Sequence, residues 1–142
     1  MKIKNIMTKT VATISVEDSV ECAAQMMKEH DVGSIPVCNG EKVIGIVTDR
    51  DIALRSAAEG QNVCNQKVRS IMSSNPVLGT PEMDIHDASR IMSERQIRRL
   101  PVVENNKLAG IVSLGDLAVE PNLANDAEGA LTEISEPCSP MI

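Results

Sequence analysis

"GIVTDRD", residues 45–51, returns as "GIVSLGD" at residues 110–116, and the offset of 65 positions between them organises the reading of the whole chain. In each stretch a short apolar run after glycine leads to a hydroxyl residue, two variable positions and an aspartate. Thr48 with Asp51, and Ser113 with Asp116, have the spacing of a helix cap, with Asp in place of the more usual Glu at the third helical position. The same groups suit a ligand. An ionised carboxylate is an acceptor-only group that fits a ribose diol, and backbone N–H groups at a helix start favour an anion. From the two stretches alone, both uses stand.

The offset extends far beyond the motif. Ile6-Met7 falls on Ile71-Met72, Ala23 on Ala88, Met27 on Met92, Pro36-Val37 on Pro101-Val102 and Asp51 on Asp116. Residues 4–52 set against 69–117 give 13 identities in 49 positions with no gap. A duplication of this kind means two copies of one supersecondary unit.

Each copy shows the same order of elements. "TVATIS" reads as a short strand. Ser19 or Asp84 then caps a helix whose apolar positions, Val20, Ala23, Ala24 and Met27 or Ile85, Ala88, Ile91 and Met92, recur at helical spacing. Asp84 with Asp87 reads as a capping pair. "SIPVC" and "LPVV" follow as strands, turn residues "NGEK" and "ENNK" come next, and "VIGIV" and "LAGIV" are the last strands. The unit is strand, helix, strand, strand, helix, an α+β class. About 50 residues bury a sheet poorly alone, so two such repeats are expected to pack face to face. The division expected is residues 1–60 for the first repeat, 61–120 for the second, and 121–142 for an acidic tail that is partly helical through Leu131 and Ile134.

Composition excludes several classes. The chain of 142 residues contains no Phe, Tyr or Trp, so it lacks the stacking platforms on which single-stranded nucleic acids are bound. Its net charge of −6 argues against a phosphate backbone as partner, and no nucleic acid is expected. The charge is uneven: residues 1–118 hold 14 basic and 15 acidic side chains, and the tail from 119 carries −5. A local basic site for a small anion therefore remains possible in the first part. No apolar run approaches the roughly 18 residues of a membrane span, and "MKIKNIMTKT" leads into no apolar signal core, so a cytoplasmic protein without membrane association is expected.

These residues, in this order and twice in register, resemble the cystathionine-β-synthase (CBS) domain family in its tandem form, the Bateman module. The carriers are "NIMT" and "SIMS", "GSIPV" and "RRLPV", and the two glycine-to-aspartate endings, spanning residues 4–118. The whole resembles small stand-alone bacterial CBS-pair proteins of the hypoxic-response type. The resemblance implies two βαββα-type repeats packed through their sheets with pseudo-two-fold symmetry, and a homodimer. It also implies a regulatory module holding an adenosine-containing ligand (AMP, ADP, ATP or S-adenosylmethionine) in the cleft between repeats, with no cofactor. Carried over residue by residue, it makes Asp51 and Asp116 ribose acceptors and Thr48 and Ser113 phosphate-side donors. Ile46 and Ile111 become adenine contacts through side chain and backbone. Thr10 and Ala12 would complete one cleft and Val77 the other, with Arg98 and Arg99 on phosphate. The first repeat has Gly33 and Ser34 where the second has those arginines. Because adjacent side chains of an extended segment point to opposite faces, Arg99 is favoured over Arg98.

Catalysis finds no support in the motifs: "GIVSLG" lacks the nucleophile-elbow spacing, and no phosphate-binding loop is present. No catalytic residue, metal site or enzymatic activity is expected. Cys22, Cys38, Cys64 and Cys138 are scattered, and in a reducing compartment they read as free thiols. A contrasting reading is an apo structural or protein-interaction module whose cysteines, Cys38 and Cys138 foremost, are the switch. No output domain is visible, so a signal would pass through another protein target, through the dimer, or not at all.

Overall fold

The computed structural model describes residues 1–118 together with Ile134; the acidic tail otherwise, including Leu131 and Cys138, lies outside the described residues. The first copy runs β1 (Ile14–Ser15), α1 (Val20–His30), β2 (Ser34–Asn39), β3 (Lys42–Thr48) and α2 (Asp49–Ile52), the last continuing as a π-helical turn over Ala53–Ala57. The second is preceded by β4 (Ser73–Ser74), which matches Thr8–Lys9; Gly79 bridges Val102 in parallel in the place of β1, and α3 (Ile85–Arg95), β5 (Arg99–Glu104), β6 (Lys107–Ser113) and α4 (Leu114–Ala118) follow. Each repeat thus has the βαββα-like order expected of a CBS repeat.

The 65-residue offset is also a structural one. Ser19 caps α1 by accepting the Cys22 N–H, and Asp84 caps α3 by accepting the His86 N–H. The cap of α3 is made by the Asp84 carboxylate on the His86 N–H, and the Asp87 carboxylate of the expected Asp84–Asp87 pair meets Arg90 at 3.3 Å. Both helices end on a left-handed residue, Asp31 and Gln96. Val20, Ala23 and Met27 are buried on α1, and Ile85, Ala88 and Met92 on α3. Ala24 is exposed: the buried line of α1 runs through Val20, Ala23 and Met27, and Ala24 is turned about 100° from Ala23 around the helix. The turn after β5 places Asn105 and Asn106 both at positive φ, as a tight hairpin requires.

The compact units are not contiguous in sequence. Among the described residues, one comprises Met1–Thr10, Val77–Glu104 and residues 109–118, and the other comprises Val11–Pro76 with Asn105–Leu108. In the first unit Ile3 is fully buried among Ile85, Met92, Leu100, Val102 and Leu117. In the second, Val68 and Ile71 are fully buried among Val20, Ile35, Val37 and Val47. Each repeat's leading segment therefore fills the core built by the other repeat's helix and strands. The backbone repeats the exchange in register: Thr8 bridges Ile111 as Ser73 bridges Ile46, and Lys2 bridges Asp84 as Lys67 bridges Ser19.

Two ion clusters fasten these segments. Glu82 accepts from Lys2 and, at 2.9 Å, from Lys4; Glu17 accepts from Lys67 and, at 3.0 Å, from Arg69. The hydrogen bonds of Lys2 and Lys4, with a smaller Coulomb contribution, hold the Glu82 carboxyl down at about 2, against an ordinary 4.5. A depressed carboxylate stabilises the fold fully above its unfolded-state value and loses that contribution as pH falls through its folded value. The stability difference between wild type and Glu82→Gln is therefore expected to be constant above about pH 5 and to vanish by about pH 2. Paired thermal melts across that range check it; a difference independent of pH would show that the charge is irrelevant. The groups are exposed, so the effect is modest.

Candidate functional site

In β3 the alternating pleat buries Val43, Gly45 and Val47 and leaves Ile44, Ile46 and Thr48 half-buried on the other face. β6 departs from this alternation: Gly110, Ile111 and Val112 are all buried, Ile111 to 7% exposure where its counterpart Ile46 is half-buried, and the strand ends on the half-buried Ser113. Both strands pass directly into a helix. The Thr48 Oγ1 accepts the Asp51 N–H at 3.0 Å while Asp51 Oδ2 accepts the Thr48 N–H at 2.9 Å. The matching distances in the second repeat are 3.1 Å from Asp116 N–H to Ser113 Oγ and 2.8 Å from Ser113 N–H to Asp116 Oδ2.

Both capping boxes are thus complete, and both leave chemistry unused. Each hydroxyl accepts in the cap and keeps its own hydrogen to donate, and each aspartate uses one oxygen and keeps the other. Asp51 Oδ1 has the Arg55 Nε at 4.0 Å. The caps orient these groups, so capping and ligand contact are compatible uses of the same residues.

The leading segments border the motifs. Thr8 and Ile111 exchange both backbone hydrogen bonds at 2.9 Å, so the Ile111 N–H is committed and its contribution to an adenine contact would come through its side chain. Gly45 and Gly110 permit the approach: a Cβ on Gly45 would lie 2.8 Å from the Ser73 carbonyl oxygen, and one on Gly110 would lie 2.7 Å from that of Thr8.

The unit containing Ile111, Ser113 and Asp116 also contains Thr10, Val77, Arg98 and Arg99. Ile46, Thr48, Asp51 and Ala12 belong to the other. Thr10 is exposed, and Val77 packs against the core around Leu100 and Val102. Arg98 is exposed, and its carbonyl accepts the Leu114 N–H at 2.9 Å, which ties it to the start of α4. Arg99 is half-buried at the first position of β5. Its counterpart Ser34 pairs across the sheet with Thr48, and cross-strand partners share a face. The repeat symmetry therefore puts Arg99 on the face of Ser113, in keeping with the alternation argument.

Two residues that sequence reading did not nominate belong beside these. Ser34 Oγ is buried without a hydrogen-bond partner on the face of Thr48. Asp49 donates its N–H to the Gly33 carbonyl at 2.9 Å, and its carboxylate lies over that glycine. Their signal in the sequence was the departure of the two repeats from one another at these positions.

Cys38 is buried, and burial pushes its thiol up from the ordinary range. Cys64 is exposed, and its thiol is raised chiefly by its hydrogen bond to the Glu21 carboxylate. Among the described residues no three His, Cys, Asp or Glu side chains gather as a metal site would require, and no helix is long and apolar enough to cross a membrane.

Paired βαββα-like repeats, each closed by a hydroxyl–aspartate box, define a tandem CBS-domain protein. The chain belongs to the CBS domain family, which matches residues 3–57 and 68–121. It is similar to the CBS domain-containing protein YhcV of Bacillus subtilis (strain 168), 47% identical over 133 residues that make up 94% of each chain. The crystal structure of Hypoxic Response Protein I with two coordinated zinc ions matches with a TM-score of 0.78 at 29% identity, over 84% of this chain and 98% of that one. The CBS domain protein PAE2072 from Pyrobaculum aerophilum, complexed with AMP, has a TM-score of 0.80 at 21% identity, over 90% of this chain and 98% of that one, which shows the shared fold.

Proposed function

We propose that this protein is a non-catalytic regulatory module whose CBS motifs bind an adenosine-containing ligand. The observation that carries the reading is the spare capacity of both capping boxes: a second aspartate oxygen, held in place by the cap, and a rotatable hydroxyl hydrogen, next to a strand bearing an isoleucine. A ribose diol needs the first, a phosphate or ring nitrogen takes the second, and a purine fits the apolar wall. The AMP held by PAE2072 supports the choice of adenosine. Arg98 and Arg99 favour a phosphorylated ligand at the second repeat's motif. Ligand binding regulates only through its difference in affinity between two states, and a homodimer would supply such states.

Titration calorimetry with AMP, ADP, ATP and S-adenosylmethionine tests the proposal. Because the chain has no Phe, Tyr or Trp, an adenine that co-purifies would dominate its near-ultraviolet spectrum. Saturable heat with at least one of these ligands is expected; no heat and no thermal shift with all four would overturn the reading. A cysteine-switched apo module is less well supported, because both the buried Cys38 and the exposed Cys64 have their thiols raised, which lowers the reactive thiolate fraction.

A further inference from the structure

We infer that the two motifs differ in ligand class, and that Asp49 with Gly33 makes the first repeat's motif select an adenosine derivative without a phosphate. The inference rests on the proposed adenosine binding and asks what each motif accepts. In the second repeat, positions 98, 99, 114 and 115 are Arg, Arg, Leu and Gly. Their counterparts at 33, 34, 49 and 50 are Gly, Ser, Asp and Arg, one acid and one base in place of two bases.

The geometry makes this more than a missing cation. Asp49 Oδ1 accepts the Arg50 N–H at 2.8 Å, which directs the other oxygen toward Gly33. A Cβ built on Gly33 would lie 3.1 Å from Asp49 Oδ2. A side chain at 33, such as the arginine carried at the matching position 98, would have to push the carboxylate aside. The negative group therefore stands where the other repeat carries Arg98, next to the counterpart of Arg99. Beside it Ser34 Oγ, buried and unpartnered, offers a neutral donor and acceptor on the face of Thr48. A hydroxyl or an amine at the ligand's sugar end satisfies both groups, and a phosphate meets like charge.

The test uses the full chain carrying Asp116→Asn, which removes the second motif's free acceptor and retains its cap. Adenosine and AMP are titrated into this protein and into the same protein with Asp49→Asn or Asp49→Leu. Adenosine is expected to bind at least about tenfold more tightly than AMP, a factor within the Coulomb range for charges a few ångströms apart near a surface. Either Asp49 substitution is expected to reduce that ratio to about threefold or less. Asp49→Asn keeps the side-chain shape, so a folding defect in Asp49→Leu would not leave the question unanswered. Equal affinity for AMP and adenosine, a ratio unmoved by Asp49→Asn, or no nucleoside binding in Asp116→Asn while wild type still binds would overturn this inference and leave the proposed function standing. Failure of wild type to bind any adenine compound would overturn both.

Discussion

Gly110→Ala is expected to unseat the first residues of the chain from the unit they complete. The new methyl would stand 2.7 Å from the Thr8 carbonyl oxygen and 2.8 Å from the Met7 sulfur. The thioether can swing aside, being flexible and unbranched. The carbonyl cannot, because it accepts the Ile111 N–H at 2.9 Å while the Thr8 N–H returns a bond of 2.9 Å to Ile111. Overpacking of this kind costs roughly 1–3 kcal/mol, and each backbone bond lost adds about 1 kcal/mol. A destabilisation of about 3 kcal/mol is therefore expected, with early loss of hydrogen-exchange protection at the Thr8 and Ile111 amides. Gly45→Ala should produce the same result at Ser73 by the repeat symmetry, where a Cβ would meet the carbonyl at 2.8 Å. Gly40→Ala separates contact from conformation: Gly40 has φ +66 and nothing within 4 Å of its Cβ position. Only left-handed strain applies there, about 1 kcal/mol. Gly110→Ala with unchanged stability and a protected Thr8 amide would refute the exchanged arrangement as a source of stability.

That exchange was only half legible in the sequence. The offset of 65 revealed two copies because apolar residues, prolines and glycines must recur where the same core is built twice. Element order followed from pattern and turn chemistry, since Asn105-Asn106 and Gly40 tolerate the left-handed conformation a tight turn needs. Which core each leading segment enters did not follow. Ile3 and Val68 are apolar in either arrangement, and a repeat related to its partner by symmetry presents the same pattern to itself and to the other copy. The pairings of Glu17 with Lys67 and Arg69, and of Glu82 with Lys2 and Lys4, lie beyond local reasoning for the same reason. The capping boxes were legible because their spacing is local. The importance of Asp49 and Ser34 was not, because it lies in contacts with residue 33 and across the strand pair.

Asp116→Asn and Asp116→Ala are expected to separate the two uses of the second repeat's aspartate, the larger effect being on ligand affinity. Asp116 Oδ2 is engaged at 2.8 Å with the Ser113 N–H, so the cap consumes one oxygen. Asparagine keeps an acceptor for that bond and replaces the second oxygen by an amide that only donates. Facing a ribose diol, a donor in place of a charged acceptor forfeits hydrogen bonds worth roughly 1.5–3 kcal/mol, a loss of about 10–100-fold in affinity. Alanine loses that and the cap together, adding a stability cost of about 0.5–2 kcal/mol. Calorimetric titration with AMP alongside denaturant unfolding gives both quantities. A cap without a ligand role would leave AMP affinity unmoved in Asp116→Asn and lower stability in Asp116→Ala alone. A ligand role separates the pair in the opposite sense, with affinity lost in both and stability lost chiefly in the alanine variant. Ser113→Ala supplies the complementary cut: it removes the acceptor of the Asp116 N–H bond at 3.1 Å and leaves the carboxylate in place. Binding that survives Ser113→Ala and fails in Asp116→Asn assigns the recognition to the carboxylate's second oxygen, the group that the cap holds in place and does not use.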